Sequence, residues 1–297
     1  MYIELHAASA FSFLRGASLP EALADRAAAL GYSAMALLDA DGVYGAPRFH
    51  KAATRAGVRA IIGAELTMEG PAAWTLPVLV ESQAGYRNLC RLITRMKMRA
   101  TKGAGALRLD ELDGWTEGLV AVGGRDVLDA HHHGVGGLLD RMVHLFGRAS
   151  VCVELQRHGL RDEEAANAGL TALARAFKVP VIATNDVRCA QSSDRPLLDV
   201  LTCVRHHTTV DAAGRRLARN AERYLKSPEA MARLFADRPD ALAGTAALAE
   251  RLQYSMTDLG YRFPTYPVPP GETETSFLRH VTEAGARDRY RPYHDKA

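Results

Sequence analysis

The sequence predicts an α/β protein: a closed or nearly closed β/α barrel followed by a helical segment. Three observations carry this expectation. From Met1 to about Cys203, short apolar runs alternate with longer amphipathic ones, the sign of strands alternating with crossover helices. Seven of the short runs read as strands, a number of repeats that favours a barrel and a parallel sheet over an open doubly wound one. After Ser192 the pattern changes to helices alone. No G-x-G-x-x-G or G-x-x-x-x-G-K-[ST] follows any of these strands, so a nucleotide-binding fold has no support.

The elements come in order along the chain. "MYIELH" opens as a strand. "LPEALADRAAALG" is the first helix, with Ser18 as its expected N-cap, Glu21 completing a capping box and Gly31 as its stop. "SAMALLD", "GAPRFHKAATRAG" and "VRAIIGAEL" continue as strand, helix and strand, with Gly57 between the last two. Then come the strand "LPVLVE" and helix "AGYRNLCRLITRMKMR", the strand "GLVAVGG" and helix "VGGLLDRMVHLFG", the strand "SVCVELQ" and helix "EEAANAGLTALARAFK", and the strand "PVIATND". "SDRPLLDVLTCVRHH", "SPEAMARLFADR" and "PDALAGTAALAERL" are helices. "YRFPTYPVPPGET" is a stiff proline-rich linker, and "TSFLRHVTEAGARDRYRPYHDKA" has helical spacing with nothing after it to pack on.

Composition narrows the class. With 47% hydrophobic and 24% charged residues over 297 positions, the chain can bury a full core. No apolar run approaches the roughly 20 residues of a membrane helix, and the first residues lack a basic region followed by an apolar one, so a cytoplasmic location without membrane contact is expected. Cys90, Cys152, Cys189 and Cys203 form no C-x-x-C pair and read as reduced core residues. A net charge of +3 permits a nucleic-acid partner without arguing for one.

Active sites of β/α barrels are assembled at the C-terminal ends of the strands. His6, Asp39, Glu65, Glu154, His158 and Asp186 all fall at or just after expected strand ends. Such a mixture of carboxylates and imidazoles suits zinc, manganese or iron, which would generate a hydroxide to attack a phosphoester. Polar residues where strands reach the surface are the plain alternative for each of them singly.

The stretches "ELHAASAFSFLRGAS", "LLDADGVYG", "IIGAEL", "ESQAGYRNLCRLIT", "VELQRHG", "VIATNDVR" and "DVLTC" resemble the PHP (polymerase and histidinol phosphatase) domain of bacterial DNA polymerase III alpha subunits, with closest similarity to the error-prone branch. "NAERYLKSPEAMARLFADRPDAL" and "GYRFPTYPVPPGET" resemble the segment C-terminal to that domain in those polymerases, so the likeness covers essentially the whole chain. It implies a distorted (β/α)7 TIM-like barrel, the PHP fold, and a ring of metal ligands matched here at His6, Asp39, Glu65, His158 and Asp186. Ala8, Ala40, Thr75 and Arg188 stand where the family pattern has histidines, which removes most of the nitrogen donors. It further implies a PHP barrel over residues 1–210, a helical extension over 211–258, a linker over 259–272 and the truncated start of a polymerase palm region over 273–297. The expected partners are DNA and the rest of a polymerase core, with other replication or repair proteins as further candidates.

With no metal, the remaining Asp39, Glu65 and Asp186 would repel one another. Arg188, two residues after Asp186 on the same side of an extended segment, is the expected cationic stand-in, with Arg15 as a second. No cofactor is expected on this reading; zinc, manganese or iron enter only if the ring still binds metal. Two rivals stand beside it. One is a working phosphoesterase or 3′–5′ exonuclease using the five matched ligands. The other is a binding module whose basic stretch Arg91, Arg95, Lys97, Arg99 and Lys102 contacts a DNA backbone or a partner protein. His131, His132 and His133 read as a glycine-flanked loop, and Phe11 and Phe13 as core. Asp39 and Asp41 form the chain's one D-x-D, inside the barrel, so the chain by itself is not expected to extend a primer.

Overall fold

In the computed structural model, which describes residues 2–101, 103–129, 136–257 and 265–294, six strands form one sheet in chain order. They are β1 (Ala34–Ala40), β2 (Arg59–Met68), β3 (Trp74–Val80), β4 (Leu119–Gly123), β5 (Val151–Gln156) and β6 (Val181–Thr184). Between and around them run α1 (Pro20–Ala29), α2 (Ala46–Arg55), α3 (Gln83–Arg99), α4 (Asp126–Asp129), α5 (Gly137–Phe146) and α6 (Glu163–Phe177). After the sheet come α7 (Arg195–Arg205), α8 (Val210–Ala213), α9 (Pro228–Leu234) and α10 (Pro239–Arg251).

The seventh strand signal, "MYIELH", closes the ring without becoming a regular strand. Glu4 bridges Met35 of β1 on one side and Ala7 bridges Val187, beyond β6, on the other. The backbone N–H groups of Ile3 and His6 donate instead to the Thr245 hydroxyl at 3.1 Å and the Glu4 carboxylate at 2.9 Å, so a continuous ladder cannot form. The result is a distorted TIM-like barrel.

The expectation of a parallel sheet is corrected at β3, which runs antiparallel to both β2 and β4. Only residues 69–73 separate β2 from β3, too few for the crossover that a parallel pair requires. Because of this hairpin β2 continues beyond Glu65, pairing Leu66–Met68 with Trp74–Leu76. The expected capping box is also absent. Pro20 opens α1 behind Leu19, while the Ser18 hydroxyl accepts from the Ala190 N–H at 2.7 Å and donates to Asp194.

Strand alternation sorts side chains into two cores. Met35, Leu37, Ile62 and Val78 face outward against helix residues such as Leu23, Phe49, Leu89 and Met142. Ile3, Leu5, Ala36, Leu38, Ile61, Leu79, Val120, Val122, Cys152 and Ile182 fill the inside, joined by Leu248, Ala249 and Leu252 from α10 and the residue after it. Arg59, the first residue of β2, donates to the carbonyls of Ala249 and Leu252, both at 2.7 Å. A Cβ at Gly244 would lie 2.3 Å from the carbonyl oxygen of Val181, the first residue of β6. Helix α10 therefore plugs the N-terminal end of the barrel, and the inward rows turn polar toward the other end: Ile61, Gly63, Glu65; Cys152, Glu154, Gln156; Ile182, Thr184, Asp186.

Residues 258–297 form a second unit. Its described part contains α11 (Glu274–His294), preceded by a stretch in which the Tyr266 N–H donates to Glu274 and its ring stacks on Phe277. Part of the expected linker, residues 259–264, lies outside the described residues, as do Lys102 and His131–His133. Cys152, Cys189 and Cys203 are buried and Cys90 is half-buried, all with free thiols. Among the described residues no helix is long and apolar enough to cross a membrane.

Candidate functional site

At the polar end of the barrel His6 sits between two carboxylates, its Nε2 2.7 Å from Glu65 Oε1 and its Nδ1 2.8 Å from Glu154 Oε2. Burial alone would lower its pKa. The charges of Glu154, Glu65 and Asp186 outweigh burial and hold the imidazole well above its ordinary value, so both nitrogens donate. Thr184 donates to the same Glu154 oxygen at 2.7 Å.

Arg188 completes the group. Its guanidinium forks onto Glu65, with Nη1 3.1 Å from Oε2 and Nη2 2.6 Å from Oε1, and lies 2.5 Å from Asp186 Oδ1. Arg223 pairs with the other Asp186 oxygen. Burial would raise the Glu65 carboxyl, but Arg188 and His6 bring it down to about 2. Asp186 is likewise held far below its usual range, against burial, by Arg188, Arg223 and His6. The backbone of Asp186 adopts φ 41°, a left-handed conformation that swings this carboxylate toward the two arginines.

The other expected ligands are used elsewhere. Asp39 does not face Glu65 and Asp186. It lies one step out of the inward row of β1 and organises the loop after the N-terminal segment. Its Oδ1 accepts from the Ser9 N–H and hydroxyl, both at 2.8 Å, and from the Ser12 hydroxyl at 2.9 Å, while Oδ2 accepts from the Gly45 N–H at 3.1 Å. A Cβ at Gly45 would come within 2.3 Å of that oxygen. The loop so anchored turns through positive φ at Phe13 and Leu14 and leaves Phe13 exposed against Tyr44, not in the core. Both nitrogens of His158 are engaged within the chain, Nδ1 2.8 Å from Glu163 and Nε2 3.0 Å from the Asn185 carbonyl, rather than with His6, Glu65 and Asp186. Arg15 makes no ion pair among the described residues and lines the cleft outside. On α3 the expected basic face is partly engaged within the chain: Arg91 lies over Trp115, Arg95 is 3.9 Å from Glu111, and Arg99 pairs with Glu111 and with Glu69 at 3.7 Å, while Lys97 makes no ion pair among the described residues.

The profile of the PHP domain matches residues 4–158, more than half of the chain. This chain belongs to the PHP family. The PHP chain is 42% identical over 271 residues to an error-prone DNA polymerase of Anaeromyxobacter dehalogenans, a match covering 90% of this chain and 24% of that protein. It is 40% identical over 316 residues to an error-prone DNA polymerase of Mycolicibacterium paratuberculosis, covering 97% and 28%. The chain thus spans about a quarter of the length of these relatives. Among solved structures, an amidohydrolase from Chromobacterium violaceum aligns with TM-score 0.45 and 18% identity over 63% of this chain and 88% of that one.

Does the PHP site fit a metal? One oxygen or nitrogen from each of His6, Glu65 and Asp186 lies within 4.8 Å of the others, a donor group of suitable size. As arranged it holds a guanidinium and a protonated imidazole instead, and Ala8 and Ala40 offer no donor atoms. Glu65, Glu154 and Asp186 are matched by His6, Arg188 and Arg223, so the group is charge-balanced without an ion. Reading the chain from strand ends alone missed Arg223, whose one signal is the basic run "GRRLARNAER", and undervalued Glu154, which the alternation after Cys152 points inward.

Proposed function

We propose that this chain is the N-terminal PHP region of an error-prone DNA polymerase III alpha-like protein. In that protein, which serves DNA replication and translesion repair synthesis, it is a metal-poor, structural part that supports a polymerase core. The relatives' names support the setting, and one observation carries the structural role: three buried carboxylates are neutralised by His6, Arg188 and Arg223 at the positions a metal cluster would occupy. Binding a divalent ion there would require expelling the Arg188 guanidinium from two ion pairs and removing a proton from His6. The partners on this reading are DNA and the remaining polymerase chain, in the cytoplasm.

The donor group of His6, Glu65 and Asp186 favours a second reading, a metal-dependent phosphoesterase or 3′–5′ exonuclease. Elemental mass spectrometry after exposure to zinc, manganese and iron separates the two. Less than one ion per chain, with no cleavage of a nitrophenyl phosphate ester or of a single-stranded DNA 3′ end, is expected. Two or more ions per chain would overturn the structural role.

A further inference from the structure

Outside the ion-pair cluster the barrel mouth opens into a cleft of about 450 Å³ whose walls carry Arg15, Arg188, Arg205, Arg216, Arg219 and Arg223. They come from separate parts of the chain: the loop after the N-terminal segment, the turn after β6, the end of α7, and the segment between α8 and α9. Arg188 and Arg223 are committed to Glu65 and Asp186, and Arg219 reaches Asp162 at 3.2 Å. Arg15, Arg205 and Arg216 have no carboxylate partner among the described residues, and Glu65 is the one carboxylate among the lining residues. Burial, with the nearby charges of Arg15 and Arg188, pushes the Arg205 guanidinium below its ordinary pKa, a sign that these cations crowd one another. Arg205 reaches the neutral side chain of its neighbour His206, Nη2 to Nε2 at 3.2 Å, and converging guanidinium groups without a carboxylate partner repel one another unless an anion fills the space between them.

We infer that this cleft receives a phosphate group without any metal, with Arg15, Arg205 and Arg216 as its ligands. The planar fork of arginine suits phosphate oxygens better than lysine's point charge does. Of the other polar lining residues, Glu65 is held by Arg188, His158 by Glu163 and Thr202 by the Leu198 carbonyl, so the role assigned to the cleft is binding. The phosphate can come from a polynucleotide backbone or from a free phosphate, and both present the same oxygens. The inference stands on arginines without a carboxylate partner among the described residues and so remains separable from the polymerase setting and from metal content.

The test uses the full 297-residue chain in low-salt buffer containing EDTA, with anisotropy of a fluorescein-labelled oligothymidylate and competition by inorganic phosphate. Wild type should bind the oligonucleotide or inorganic phosphate. The combined variant Arg15→Ala, Arg205→Ala, Arg216→Ala should bind at least about tenfold more weakly, with a shallower salt dependence. A paired Arg95→Ala, Lys97→Ala change on α3 should leave binding unchanged. Displacement of the oligonucleotide by millimolar phosphate identifies a free-phosphate site, and resistance to displacement identifies a backbone site. Since the three arginines make no ion pairs among the described residues, the combined variant should melt no lower than wild type; should it fail to fold, Arg205→Gln alone is measured. Absence of binding to both probes by wild type, equal binding by the arginine variant, or loss of binding in the α3 variant instead, would overturn the inference.

Discussion

Replacing Arg188 by alanine removes the guanidinium that lies 2.6 Å from Glu65 and 2.5 Å from Asp186, and leaves His6 as their shared neighbour. Both carboxylates are buried, at 3% and 5% exposure, so they cannot regain the lost interaction from water. Breaking a buried ion pair by deleting one partner costs about 3–5 kcal/mol. Here the lower end applies, because Glu65 keeps His6 at 2.7 Å and Asp186 keeps Arg223. A loss of about 3 kcal/mol corresponds to a fall in Tm of roughly 6–12 °C for a chain of this size. Urea unfolding and thermal melting at neutral pH measure it directly, and Arg188→Met separates charge from packing, since it keeps much of the side-chain volume and should fall nearly as far. The gap between wild type and Arg188→Ala should also depend on pH with a definite sign. The folded-state pKa of Glu65 is depressed from 4.5 to about 2, so its ion-pair contribution is present above 4.5 and is lost as pH falls through about 2. The two proteins should therefore converge across that window. An Arg188→Ala protein that melts like wild type, with the same metal content, would refute the idea that a guanidinium braces the former ligand ring.

Two further outcomes are expected. Burial raises the Glu4 carboxyl from 4.5 to about 7, so wild-type stability should decline as pH climbs through that range, and Glu4→Gln should flatten that leg of the profile; equal slopes would show that Glu4 does not titrate there. Asp39→Ala strands the buried N–H groups of Ser9 and Gly45 along with two hydroxyls and should cost about 3 kcal/mol, with faster amide exchange across residues 9–16 and unchanged metal uptake. A stable Asp39→Ala protein would mean the loop is held by other contacts.

Much of this was legible in the order of residues. The alternation of short apolar runs with amphipathic ones marked the strands and most helices within a few positions, because side-chain periodicity is a local property of the backbone. Arg188 was named beside Asp186 from an extended spacing; the two do pair, but across a left-handed backbone at Asp186 that spacing alone does not reveal. The absent histidines at Ala8 and Ala40 were legible too, since alanine has no donor atom in any fold. Other features depended on groups far apart in the chain. Arg223 reaches Asp186 because the segment after α8 folds back over the barrel mouth, and Thr245 draws Ile3 out of a regular ladder from a helix 242 positions away. Asp39, although at a strand end, serves the loop through Ser9, Ser12 and Gly45, because which face a terminal residue takes depends on where the inward row begins. The direction of β3 was set by a connection too short to cross over. A sequence names the charges; only the closed barrel decides which of them share a space from which water is excluded, and there each must find an opposite charge or leave the cluster.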